Sequence, residues 1–263
     1  MNPELAVESG LAGLGRATLA RLAAIGDFTR FTLEALGVVV RRGIPLRETL
    51  RQFESISVRS SPIVLITALF TGMVLALQTA SALGRFGARP YTGSFVGLAF
   101  VLELGPVLTA IVVAGRVGAG ITAELGSMAV SEQVDAIRAL GADPMQKLVV
   151  PRLVATTLGL PMLALLANLF GIGGGLLIAI QSGIGANFYY QSVVAVVTLP
   201  DLWNGLVKTL VFGFLIAMIA CHEGLSTTGG TLGVGRATTR AVVVSSIAVF
   251  VSDFFLTKLI LLW

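Results

Sequence analysis

Three ionisable side chains fall inside otherwise apolar runs: Glu103, Lys208 and Asp253. A charge left alone at the centre of a bilayer costs about 2.5–3.5 kcal/mol on the insertion scale. Counting helical rise from the ends of their runs puts Glu103 roughly 16 Å, Lys208 roughly 9 Å and Asp253 roughly 12 Å below one membrane surface. Depths so similar on three separate runs point to mutual contact. Two acids and one base sum to −1, so a second cation, a bound water or a proton held on one carboxylate is expected to complete the cluster. Two roles are open at this point: an ion-pair lock that only holds the fold, or a polar patch lining a path for lipid headgroups. A third, from a different class, is a proton relay in an ion-coupled carrier. Arg116 and Glu124 form a second charged set two helical turns apart, expected to lock to each other or to the loop that follows.

The remaining reactive residues offer no catalytic arrangement. His222 is the only histidine and sits beside Glu223 with no second ligand at metal spacing, which argues against zinc. The run Gly230–Arg236 has the glycine density of a phosphate loop, but no Lys followed by Ser or Thr, and no strand precedes it. No nucleophile stands at a useful spacing from a base. The chain is expected to bind no metal, to hold no nucleotide and to carry no enzyme activity of its own.

The longest polar interruption of the apolar sequence runs from Glu132 to Pro151. Ser131 is a candidate N-cap, with Glu132 at the positive end of the helix dipole. Val134, Ile137 and Leu140 recur at helical spacing, Gly141 suits a left-handed C-terminal position, and Asp143-Pro144 forbids continuation. A helix of about three turns is expected, apolar on one face and charged on the other. So short a helix is marginal alone in water, and its apolar face requires a partner.

These residues must be held by the apolar segments around them. Of 263 residues, 55% are hydrophobic and 12% charged, about half the charge of a soluble domain. The pattern predicts an all-α membrane protein: an amphipathic interfacial segment over residues 1–61, then a spanning domain over 62–263. The five spans are expected at about residues 62–83, 92–121, 153–180, 202–220 and 241–263, with a cytoplasmic loop over about 122–152 that carries the short helix. Leu11 to Val40, with Arg16, Arg21 and Arg30, reads as a basic helix lying in the headgroup plane; Leu46 to Val58 offers a second amphipathic piece. Its arginines leave no apolar core for a cleavable signal peptide. Residues 181–201 and 221–240 read as loops. The net charge is +4, and the basic residues flank spans, which fits anionic lipid and not nucleic acid. With the N-terminus cytoplasmic, Arg41, Arg42, Arg47, Arg51, Arg59, Arg138, Lys147, Arg152, Arg236 and Arg240 share that side, while the outer loops keep Arg85 and Arg89. The C-terminus then falls on the periplasmic side. Gly115, Gly118, Ala119 and Gly120, and later Gly171, Gly173, Gly174 and Gly175, mark close helix contacts. Cys221 is the single cysteine, so no internal disulfide can form.

Several blocks resemble a known family. Asp135-Ala136-Ile137, with Gly141 and the later Pro151, is similar to the coupling loop of ABC-transporter membrane subunits. Glu103-Leu104-Gly105-Pro106-Val107-Leu108, Ala114-Gly115-Arg116 and Ala123-Glu124-Leu125-Gly126 resemble the MlaE family of Mla/Mce-type lipid permeases, as do Glu132-Gln133, Asp143-Pro144 and Pro151-Arg152. Near the C-terminus, Gly235-Arg236-Ala237-Thr238-Thr239-Arg240 and Asp253-Phe254 carry the same likeness, which spans roughly residues 60–263. The resemblance implies a homodimeric permease of membrane phospholipid in the bacterial inner membrane. It implies two cytoplasmic ATPase subunits, which hold ATP and Mg, and an Mce-domain partner in the periplasm. It assigns ATPase coupling to Glu132, Gln133, Val134, Asp135, Ile137, Leu140 and Gly141. The ion-coupled carrier is disfavoured, since five spans show no internal repeat, and a non-transporting scaffold leaves the intramembrane charges without a use.

Overall fold

A glycine and a proline set the first division of the chain. Gly43 adopts the left-handed region, φ +75°, and Pro45 follows, so helix α1 (Pro3–Arg42) stops there. The computed structural model describes residues 3–260 and 262. Met1, Asn2 and the expected end of the fifth span at Leu261 and Trp263 lie outside the described residues, as do the side chains of Arg16 and Arg21. The chain separates into two compact units, Met1–Gly43 and Ile44–Trp263. The break therefore falls at Gly43, where the sequence pattern places it at residue 61. In the first unit Leu22, Ile25, Leu33, Leu36 and Val40 form an exposed apolar stripe along α1.

The second unit is helical throughout, with no strand among the described residues. Helix α2 (Leu46–Phe53) passes through a π turn (Glu54–Val58) into α3 (Ser61–Gly84). A short turn at Arg89–Tyr91 leads to α4 (Thr92–Ala99), α5 (Gly105–Val113) and α6 (Ala119–Val130), joined by π turns at Phe100–Leu104 and Ala114–Gly118 into one long span. Helix α7 (Gln133–Ala139) follows, then a π turn (Met145–Val149) and α8 (Val150–Gln181). The chain closes with α9 (Ala186–Val196), α10 (Leu199–Leu225) and α11 (Gly230–Ile260). Among the described residues, five helical stretches are long and apolar enough to cross a membrane: Leu46–Gly84, Arg89–Val130, Met145–Gln181, Leu199–Leu225 and Gly230–Ile260.

Three local expectations are corrected. The segment at Leu46–Val58 is no detached amphipathic piece, because Thr49, Ile56 and Ser57 are buried and Ser57 seats on Gly159 of α8. Residues 181–201 are largely helical. Thr198 and Asp201 form a reciprocal cap that starts α10 before Leu202, and α9 buries Tyr189 among Ala179, Ile184 and Val193. The Tyr189 hydroxyl donates to the Ile172 carbonyl at 3.2 Å, and burial pushes its pKa above the ordinary value. The glycine-rich stretch at 221–240 is also helix, interrupted only over residues 226–229, where Thr227 packs against Gly126.

The core of the unit is the contact between α3 and α8, and it depends on missing side chains. A Cβ on Gly72 would overlap the Gly171 carbonyl, and one on Gly171 would overlap the ring of Phe100, itself fully buried. In a bilayer no hydrophobic effect drives helices together, so backbone approach and dispersion must do it. Gly173, by contrast, has nothing within 4 Å of its would-be Cβ. Gly171→Val should therefore lower the Tm of the purified protein by several degrees, since overpacking costs about 1–3 kcal/mol and each is worth about 2–4 °C at this size. Gly173→Val should leave it unchanged. Equal Tm shifts in the two variants, read by thermal unfolding in detergent, would contradict this account of the core.

Candidate functional site

Proline 106 creates the first feature of the site. It has no N–H, so the carbonyl four residues earlier, at Leu102, loses its normal helical donor. Lys208 of α10 supplies a replacement: its Nζ donates to the Leu102 carbonyl at 3.1 Å. The same ammonium donates to Glu103 Oε1 at 2.7 Å, and Glu103 stands in the π turn that precedes the proline. Asp253 Oδ1 of α11 lies 3.1 Å from Nζ, an ion-pair contact without hydrogen-bond alignment. Thr257, one turn along α11, donates to Glu103 Oε1 at 3.2 Å. The structure thus brings Glu103, Lys208 and Asp253 together and adds Leu102 and Thr257. Lys208 is sealed, its side chain 3% exposed, whereas that of Glu103 is 42% exposed. The acid, not the base, is the accessible group.

Of the two arrangements expected for the second charged set, Glu124 takes the lock to the loop that follows, at Arg152, and Arg116 takes neither. Arg116 and Glu124 do not pair with each other. Arg116 Nη1 donates to Ser60 Oγ at 2.6 Å, and Glu124 Oε2 pairs with Arg152 Nη2 at 2.8 Å. Arg152 is almost wholly buried at the start of α8 and also donates to the Leu148 carbonyl at 2.6 Å. The π turn at Ala114–Gly118 contains Arg116 and alters the helical register that a spacing argument assumes.

Helix α7 is shorter than its sequence pattern suggests. It has two turns, not three, and Ser131 does not cap it: the Ser131 hydroxyl donates to the Ser127 carbonyl at 2.7 Å and closes α6. Glu132 occupies the N-cap position with φ 60°, the only positive φ at a non-glycine among the described residues. Gly141, φ +74°, ends the helix, its N–H donating to the Arg138 carbonyl at 2.9 Å. Asp143 Oδ1 then accepts from the Met145 N–H at 2.9 Å and starts the next helix. Val134 is buried, Ile137 is half-buried and Leu140 is 85% exposed, while Gln133 is exposed and Asp135 pairs with Arg138 in solvent. The apolar residues are thus divided, Val134 facing in and Leu140 facing out. Among the described residues, no three His, Cys, Asp or Glu side chains converge as a metal site needs.

Residues 49–259 match the family model described as permease MlaE. The chain belongs to the MlaE permease family. It is 40% identical over 248 residues, 94% of this chain and 96% of the other, to a probable ABC transporter permease protein of Rickettsia typhi. It is 45% identical over 222 residues, 84% of each chain, to a probable ABC transporter permease protein of Synechocystis. It is also 34% identical over 222 residues, 84% of each chain, to the intermembrane phospholipid transport system permease protein MlaE of Haemophilus influenzae. This MlaE-family chain is a multi-pass membrane permease, and the Lys208 cluster joins its second, fourth and fifth spans.

Removing the cation from that cluster leaves two carboxylates facing each other. Lys208→Met should destabilise the protein by about 3–5 kcal/mol, the cost of breaking a buried pair from one side. Lys208→Met combined with Asp253→Leu should recover a large part of the loss. Thermal unfolding of the two single variants and the double measures the coupling, and strictly additive effects would mean that the two side chains do not act as a pair.

Proposed function

We propose that this chain is the membrane subunit of an ATP-driven phospholipid transporter, working as a homodimer with two separate cytoplasmic ATPase subunits. Those subunits bind and hydrolyse ATP with Mg; this chain converts their movement into lipid movement between the bacterial inner membrane and an Mce-type protein in the periplasm. The observation that carries the reading is α7, a two-turn helix outside the apolar spans whose C-cap residue, Leu140, is 85% exposed. An exposed leucine at the end of a charged helix is what an ATPase groove can bury. Phospholipid as cargo follows the name of the Haemophilus influenzae relative. Basic residues concentrate at the α7 end of the spans, which supports a cytoplasmic N-terminus and a periplasmic C-terminus. On this reading the half-open carboxylate of Glu103 faces the lipid path, and α1 lies in the headgroup plane on its apolar stripe.

Leu140→Asp tests the coupling role without touching the core, whereas Val134→Asp would put a charge at a buried position and confound it. Leu140→Asp should reduce ATPase co-purification and lipid transport by about tenfold or more with the Tm unchanged, consistent with an anchor residue worth ~2 kcal/mol. Undiminished transport in reconstituted vesicles would overturn the coupling role. For α1, cysteines at Leu22, Ile25 and Leu36 should be shielded from aqueous thiol reagents in membranes, and one at Arg30 should react. Uniform labelling would place α1 in solvent instead.

A further inference from the structure

Behind the Arg116–Ser60 hydrogen bond lies a crevice of about 270 Å³, open to the surface, between the α2–α3 junction and the second span. Gln52, Ser55 and Arg59 line one side, Arg116, Gly120 and Glu124 the other, and Val117 and Ile121 form an apolar floor. Its charge is unbalanced. The carboxylate of Glu124 is already held by Arg152 at 2.8 Å, and neither Arg59 nor Arg116 has a carboxylate within ion-pair distance among the described residues. Two uncompensated guanidinium groups therefore face one polar, water-sized to headgroup-sized space. Arg116 is not free to swing away, because Ser60 holds one of its nitrogens and leaves the other donors of the fork available.

The depth of the crevice identifies the ligand chemistry. Helix α3 begins at Ser61 and its 24 residues span about 36 Å, enough to cross a hydrocarbon core of about 30 Å. Ser60, and Arg116 bonded to it, thus sit at one edge of that core, at the level of lipid phosphates. The edge is the one from which α6 runs on to α7. Planar guanidinium forks match phosphate oxygens in pairs, and Gln52 and Ser55 provide neutral donors beside them.

We propose that this crevice is a phosphate-binding site, where Arg59 and Arg116 hold the phosphate of a phospholipid headgroup in the leaflet on the α7 side. The inference rests on the lipid-permease reading and deepens it by placing an entry or exit station for cargo away from the Glu103 cluster. The same chemistry would also accept free phosphate, so the test must separate the two.

The full chain, purified and delipidated in detergent without any ATPase, is titrated with phosphatidylglycerol, with diacylglycerol as the phosphate-free lipid, and with inorganic phosphate, bound ligand being counted by native mass spectrometry. Phosphatidylglycerol should bind saturably and diacylglycerol should not. R59Q/R116Q should weaken the phosphatidylglycerol site about 30-fold, at ~5-fold per cation near a membrane surface. R59K/R116K, which keeps both charges, should recover most of the binding and shows that loss is not misfolding. R47Q/R51Q removes the same charge from α2 outside the crevice and should bind as the parent does. Lipid binding that inorganic phosphate cannot displace assigns the site to headgroups; efficient displacement assigns it to phosphate as a free anion and overturns the headgroup assignment. Equal binding by R59Q/R116Q and the parent overturns the site altogether. A change from dimer to monomer in R59Q/R116Q with lipid binding intact would assign the crevice to contact between copies, and also overturns it. Lipid held in the crevice by a protein that moves no lipid when its ATPase is added would overturn the transport reading and leave the crevice standing.

Discussion

The spanning unit depends on a single ammonium group kept out of water. Lys208 is sealed among three spans, and its Nζ contacts two carboxylates, those of Glu103 and Asp253, and one backbone carbonyl, that of Leu102. Such a charge cannot be left half-satisfied in hydrocarbon, so the second, fourth and fifth spans must come to one point. Pro106 makes this possible. By withholding an N–H it frees the Leu102 carbonyl that the lysine bonds, and Glu103, in the π turn before it, accepts from the same ammonium. A residue that weakens a helix locally is here what fastens it to a neighbour.

The first and third spans are held by the opposite strategy. Around Gly72, Gly171 and Phe100 the contact is backbone on backbone and ring on backbone, with no charge involved. This division fits the two available means of joining helices in lipid: close approach of small residues, and polar groups that find one another. The α9 helix adds a third contact at the far end, where Tyr189 fills a space between α4 and α8. Its hydroxyl finds a carbonyl, so burial leaves no unpaired donor.

Much of this was legible in the sequence, for a physical reason in each case. Glu103, Lys208 and Asp253 could be grouped because isolated charges are so costly in hydrocarbon that depth alone suggests contact. The five apolar runs were legible because the bilayer fixes their length. Glu124 locks to Arg152 at the end of the following loop, one of the two arrangements the sequence left open, whereas Ser60 as the partner of Arg116 was not legible, because spacing along a regular helix was the only guide and a π turn intervenes. The signal for Leu102 was present in Pro106, since any internal proline orphans a carbonyl. Thr198-x-x-Asp201 likewise announced the start of α10 earlier than hydropathy did. The glycine-rich stretch after Cys221 gave no such sign, because glycine is a poor helix former and propensity alone reads it as a loop.

Helix length then explains why the polar ends of the molecule differ. The second span runs over 42 residues, about 63 Å at helical rise, against a hydrocarbon core of about 30 Å. With Arg116 fixed beside Ser60 at one edge of that core, the residues from Ala119 to Val130 must project beyond it by roughly 20 Å. A projecting helix needs lateral support in water, and the Glu124–Arg152 pair supplies it by tying α6 to the start of α8. Glu132 then forces a left-handed step directly after α6, so α7 leaves the axis of the span and does not extend it. The opposite end has no comparable projection. There the connection between α3 and α4 is a few residues long, and α9 folds back onto α8. The asymmetry that the basic residues suggest from charge alone is thus built into the helix lengths as well: one end projects beyond the apolar spans and carries α7, and the other does not.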